Sequence, residues 1–285
     1  MNFNCLTDPT YAFFLYAIAG GILSSISLGV VGTYVVTRRI TGIAGAIAHC
    51  VLGGIGLALF MQRVCGWHFL DPFWGALWAA LIAAGVLGLA ARNSQEREDT
   101  FIGALWAVGM SIGLLLMAKT PGFVDPMVYL FGNILLLSPT DLYAIVGLDI
   151  IVLILTVLLY RPFLAVCFDE ETAKMRGLPV GILYSLLLML TALTIVVLIR
   201  VVGIVLVIAL LTIPAAIAGR LSQKLWQMMV WATFLSCFFV MSGLYLSYQE
   251  DVPSGPAIVL IAASIYLLTI GWISLRQQYW LKNRN

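Results

Sequence analysis

Residues 38 to 60 read RRITGIAGAIAHCVLGGIGLALF: two arginines, then an uncharged run that holds a single imidazole, His49. In a helix, positions four apart sit one above another, so Gly45, His49 and Gly53 share a stripe, and Gly42 and Gly56 extend it by three residues at either end. Two chemistries fit this pattern. A stripe of small residues lets a neighbouring backbone approach closely in a bilayer, and His49 would then hydrogen-bond that neighbour. Alternatively, an ionisable side chain at membrane depth faces a bundle interior or wet cavity, where neutral imidazole is a common metal ligand.

A second chemistry-bearing residue is Asp149, the one acid inside the apolar runs, eight residues from Asp141 and so about 12 Å away along a helix. A carboxylate at that depth must be protonated, paired or exposed to water. It is either a neutral acid bonded within the bundle or a group on a permeation path. Cys65, His68 and Asp71 offer a CxxH spacing, but this provides one pair where a closed zinc site needs four ligands. Cys5, Cys50, Cys65, Cys167 and Cys237 follow no zinc-knuckle or redox spacing. The chain has no phosphate-cradling GxxxxGK[ST] loop, HExxH or GxSxG. It therefore reads as a non-enzyme whose work is driven by an ion gradient or by a partner that hydrolyses nucleotide.

The elements that must position these groups are membrane helices. Charged residues make up 10% of the chain against about a quarter in soluble proteins, which excludes a nucleic-acid role and predicts an all-α polytopic membrane protein. Met1 to Thr10 has no Lys or Arg, so the first apolar run reads as a retained helix rather than a cleaved signal. With about 20 apolar residues needed per span, helices are predicted near 12 to 36, 41 to 60, 72 to 91, 100 to 118, 141 to 161, 180 to 199, 201 to 219, 225 to 247 and 256 to 275. These nine spans form one transmembrane domain over residues 1 to 285. MVYLFGNILLLS, residues 127 to 138, is too short to span and reads as re-entrant.

Basic residues orient the bundle. If the short segment does not cross, the N-terminus is outside and the C-terminus inside. Twelve Lys and Arg then fall on the cytoplasmic side and three (Arg63, Lys119 and Arg200) outside; a crossing segment would leave five inside and ten outside. Asp8, Asp71, Asp125, Asp141, Glu250 and Asp251 fall outside, giving that face a formal charge of −3. Such a mouth draws cations, although loop acids also serve simply as solvated surface. Arg200 is predicted at the outer turn before Gly203, and Pro214 as a kink or early end of its helix. On the cytoplasmic side FDEETAKMRGLP, residues 168 to 179, has the composition of a short helix closed by Gly177 and Pro179. It is a docking element or a solvated connector.

Six stretches in order resemble the integral-membrane permease subunits of the zinc, manganese and iron family of ABC importers. They are GVVGTYVVTRRITGIAGAIAHCVLGG, REDTFIGALWAVGMSIGLLL, LFGNILLLSPTDL, FDEETAKMRGLPVGI, TALTIVVLIRVVGIVLVIALLTIPAAIAGRL and SGLYLSYQEDVPSGPAIVL. The resemblance implies a multi-pass protein of the cytoplasmic (inner) membrane, embedded in lipid and paired with a second permease chain, most simply as a homodimer. It also implies an ABC ATPase subunit that uses the ATP, an extracytoplasmic solute-binding protein and a transported divalent metal ion, with no permanently bound cofactor. Phe168, Asp169, Glu170, Glu171, Ala173, Arg176, Gly177 and Pro179 would form the loop that couples to the ATPase.

His49 and Asp149 are the candidate metal-path residues. The family often carries Asp four residues before the His; here that position is Gly45, and the small polar position that follows is Ala48. Two subunits would then offer two imidazoles and no carboxylate, a donor set poorer for manganese than for zinc. Cys50 lies about 100° around the helix from His49 and does not replace the acid. Two other readings remain at this level: a proton-coupled secondary transporter relaying through Asp149, and a membrane assembly protein that transports nothing.

Overall fold

In a bilayer the backbone must satisfy its own hydrogen bonds, so uninterrupted apolar runs become helices. The computed structural model describes residues 9–67, 69–93, 98–122, 124–132, 134 and 137–282. In chain order the helices are α1 (Pro9–Thr37), α2 (Thr41–Val64), α3 (Pro72–Asn93), α4 (Glu98–Lys119), α5 (Pro126–Phe131), α6 (Pro139–Leu158), α7 (Tyr160–Phe168), α8 (Glu170–Met175), α9 (Val180–Val202), α10 (Ile204–Leu221), α11 (Leu225–Glu250) and α12 (Ser254–Lys282). Among the described residues nine of these are long and apolar enough to cross a membrane, as the hydropathy pattern predicts.

The core is built around α2 and α9, whose apolar windows are 83% and 72% buried; those of α4 and α12 are 11% and 17% buried and line the rim. Small residues set the close approaches. Side chains at Gly29 and Gly32 of α1 would enter the backbones of Thr233 in α11 and Leu211 in α10. Gly54 of α2 and Gly75 of α3 face each other across a second seam. Because lipid tails are as apolar as leucine, this shape fit rather than hydrophobic transfer holds the helices together.

The helix of the short segment, α5, has six residues, too few to span. Asp125 caps α5, its Oδ1 accepting from the Met127 amide at 2.9 Å. Gly132 (φ 63°) and Gly203 (φ 85°) meet backbone to backbone, so a side chain on either would enter the other chain segment. Ile134 and Leu137 then pack at Gly21 and Gly20 of α1. The chain returns at Ser138, whose hydroxyl donates to Asp141 Oδ2 at 2.6 Å in a capping box that starts α6. Asp141 also pairs with Arg200 Nε at 3.4 Å, one turn from the end of α9. The segment thus leaves and rejoins the bundle at the α9 to α10 turn.

Most helix ends differ from the sequence reading, by up to seven residues at the end of α12, and those of α6 have a visible cause. Ser138 and Pro139 start α6 two residues early, and the helix stops at Leu158; Leu159 (φ −106°, ψ 18°) breaks it before α7 resumes. Pro214 does not end its helix: it is buried inside α10, which continues to Leu221.

Candidate translocation seam and coupling loop

The glycine stripe of α2 faces α4. Gly42 lies against Ile102, Gly45 against the Trp106 ring, Gly53 against the Gly109 carbonyl and Gly56 against Gly113. Cys50, off the stripe, donates its thiol to the Leu105 carbonyl at 3.4 Å. The small-residue reading of the stripe is therefore realised as a helix seam. His49 sits in it 8% exposed, stacked on Trp106 with ring centroids 4.3 Å apart and planes 19° from parallel. It does not hydrogen-bond the neighbouring helix through Nδ1, which is buried without a partner among the described residues.

Trp106 is the residue that sequence reasoning missed. A Cβ placed on Gly45 would lie 2.9 Å from its Cζ3, so the indole fills the space where the resemblance leads one to expect a carboxylate. A bulky residue facing a vacated acid position is the only trace of this in the chain, and it is readable only once α2 and α4 are known to pair.

Asp149 lies in a different seam. It is buried in α6, accepts from the Ser27 hydroxyl of α1 through Oδ1, and leaves Oδ2 without a partner among the described residues. His49 looks to α4 and Asp149 to α1. Among the described residues no three His, Cys, Asp or Glu side chains converge as a metal cluster. At the α2 to α3 turn Cys65 is exposed, and Asp71 Oδ1 accepts from the Phe73 amide at 2.8 Å at the start of α3. His68 and Asp8 lie outside the described residues. Asp71 and Asp125 thus each cap a helix and Asp141 completes the capping box of α6, which gives a structural role to three of the six acids predicted to face outside.

The opposite end carries the polar loop. Asp169 Oδ1 caps α8 by accepting from the Thr172 amide at 2.9 Å, and hydrogen bonding from the Thr172 side chain first and its amide second holds the carboxyl below the usual carboxylate range. Glu170 is bonded by Lys174 at 2.9 Å and by Arg38 Nη2, and Lys174 first and Arg38 second hold its carboxyl low. Arg38 also lies over the Tyr184 ring of α9, 5.4 Å from its centroid. Ala173 is buried and anchors α8, whereas Phe168, Asp169, Glu171, Arg176, Gly177 and Pro179 are exposed. Gly177 turns the chain out of α8 at φ 75°. The predicted loop residues are therefore brought together in one projecting helix and turn.

Comparison with known proteins follows the same lines. The chain is 40% identical to a probable metal transport system membrane protein of Chlamydia pneumoniae, over 87% of this chain and 84% of that one. It is 34% identical to the manganese transport system membrane protein MntC of Halalkalibacterium halodurans, over 96% and 93%. Among solved structures it superposes on a chain of PsaBC from Streptococcus pneumoniae in complex with Fab with a TM-score of 0.79 at 32% identity, covering 90% of each. The protein is a multi-pass protein of the cytoplasmic membrane. Residues 10–272 match the family model described as the ABC 3 transport family, and the chain belongs to that family.

Proposed function

We propose that this chain is the permease subunit of a binding-protein-dependent ABC importer that carries a divalent transition metal ion, manganese or zinc, past His49. A partner ATPase supplies the energy and docks on α8, an extracytoplasmic solute-binding protein delivers the ion, and a second copy of the chain completes the path. The observation that carries this reading is the likeness to a manganese transport relative along 96% of the chain, and it is supported by a solvent-facing α8 built on a buried anchor. The excess of basic residues on the side of Arg38 and Arg161 supports placing α8 in the cytoplasm, with the N-terminus outside and the C-terminus inside.

Chemistry and kinship pull the choice of metal in different directions. An unpaired imidazole beside an indole suits zinc better than manganese. The relatives' names favour manganese or metal in general.

The test is purification from the native membrane followed by reconstitution and ATPase assay across zinc, manganese and iron. An ATPase that co-purifies and is stimulated by one of these metals is expected. Uptake driven by a pH gradient with no ATPase would overturn the proposal in favour of a proton-coupled carrier using Asp149.

A further inference from the structure

Two cavities on the flank of the molecule, away from the α2 to α4 seam, meet end to end. One is an apolar slot of about 630 Å³ between α1, α6 and α11, walled by Ile26, Val30, Leu153, Val157, Met229 and Val230. The other, about 800 Å³, opens beside α8 and carries Arg161, Arg176 and Lys224, with Asp169 as the one acid in its lining. Tyr160 and Trp226 line both, so the two cavities adjoin at these side chains. None of the three cations is in a salt bridge among the described residues.

The dimensions and chemistry are those of a lipid. From α6 to the start of α7 the slot runs from Leu153 to Tyr160, and along α11 from Trp226 to Thr233. Seven residues are roughly 10 Å at the helical rise, which reaches well into one leaflet of a core about 30 Å thick. Tyr and Trp at the junction stand where such side chains settle, at the boundary between hydrocarbon and headgroup. Basic pockets between helices on the cytoplasmic side recognise anionic headgroups. A second permease copy would fill the slot and leave Arg161 and Lys224 unmatched, and the ATPase proposed to dock on α8 would leave the slot empty. A phospholipid answers both halves.

We propose that this paired cavity binds one anionic glycerophospholipid of the inner leaflet, its phosphate between Arg161 and Lys224 and an acyl chain in the slot, with Arg176 left to the coupling loop. The headgroup then lies against Thr172 and Ala173 of α8. The assignment rests on the cytoplasmic placement of Arg161 and Lys224 proposed above.

The test uses the full-length chain in phosphatidylcholine nanodiscs doped with brominated lipid. The fluorescence of Trp226 is isolated as the difference between the native chain and Trp226→Phe. Brominated phosphatidylglycerol is expected to quench that component at roughly fivefold lower mole fraction than brominated phosphatidylcholine, the effect of about one basic side chain near a membrane surface. Arg161→Gln combined with Lys224→Gln, both exposed, should abolish the preference. Val230→Phe, which fills the slot, should weaken quenching by both lipids. Equal quenching by the two lipids in the native chain, or a preference that survives the double Gln change, overturns the proposal. So does absence of quenching by either, which would mean that protein covers the slot. Metal-stimulated ATPase activity is read separately, so failure here leaves the permease assignment standing.

Discussion

Restoring the missing carboxylate beside His49 should fail unless Trp106 is removed as well. A Cβ on Gly45 lies 2.9 Å from Trp106 Cζ3, whereas carbon atoms rest about 3.5 to 4.0 Å apart. The indole would have to withdraw by roughly 0.6 to 1.1 Å. That costs about 1 to 3 kcal/mol of overpacking and puts at risk the His49 stack, worth about 0.5 to 1.5 kcal/mol beyond its buried area. Gly45→Asp alone should therefore lower the thermal midpoint in detergent without improving manganese uptake. Combined with Trp106→Ala it should regain stability relative to Gly45→Asp, because the carboxylate enters the vacated space. Trp106 is already 37% exposed. The double variant places an acid and an imidazole at i and i+4, a harder donor set, and should shift preference from zinc toward manganese. Uptake of both metals is measured in vesicles containing the whole transporter. If Gly45→Asp alone is fully stable and gains manganese uptake, the indole does not hold that space. If the double variant keeps the native zinc to manganese ratio, the seam is not on the ion's path.

His49→Ala should abolish uptake while leaving membrane levels near normal, and transport at the native rate would make His49 a packing residue. Cysteine reporters fix the orientation: Glu250→Cys, at an exposed site, should label from outside and Met175→Cys only after permeabilisation. Ser254 is a poorer outer reporter because it is 7% exposed, and labelling of both sites from one side would refute the nine-span arrangement. Deleting Glu170 to Met175 should leave the protein in the membrane but uncouple ATP hydrolysis from uptake, since α8 contributes Ala173 alone to the buried core; normal coupled uptake would move the docking surface elsewhere. Glu170 has a folded pKa below its ordinary 4.5, so the Arg38 and Lys174 contacts contribute fully above that value and are lost as pH falls through the lower one. Coupling should be flat around neutrality and weaken only in acid, and Glu170→Gln should remove that acid dependence.

The helices could be read in the sequence because a span needs a long run with no charge, and little else in a protein looks like that. The same length rule showed that residues 127 to 138 stay on one side, although not that Gly132 locks against Gly203. Helix ends were less legible: the capping box at Ser138 moved the start of α6 to Pro139, and nothing in the apolar pattern forecasts the break at Leu159. The coupling loop stood out as a charged island in an apolar chain. The surroundings of His49 and Asp149 did not. Whether a stripe faces water, lipid or another helix depends on which helices pair, and Ser27 and Asp149 meet across 122 residues of sequence. For the same reason Trp106 could not be seen to occupy the place of an acid on another helix.

The position of Arg38 suggests how the two candidate regions communicate. Arg38 joins Glu170 of α8 to the last residues before α2, and α2 begins three residues later at Thr41. Between them Arg39 takes a left-handed conformation (φ 61°), unusual for a side chain of its kind, so this junction has little freedom to bend further. From Thr41 to Val64 the helix has no proline, and it is the most buried span among the described residues. It should move as a rod. His49 stands eight residues up that rod, about 12 Å from its start, where backbone contacts at Gly53 with Gly109 and at Gly56 with Gly113 leave no side chains to absorb a shift. A displacement of α8 by a docked ATPase would pass through Arg38 to α2 and change the spacing between His49 and Trp106. On this reasoning the charge on Arg38 matters for coupling more than for folding. A partly exposed ion pair such as this one (side-chain exposures of 23% and 33%) contributes on the order of 1 kcal/mol to stability, yet it is a direct polar link from the loop to the helix that carries the imidazole.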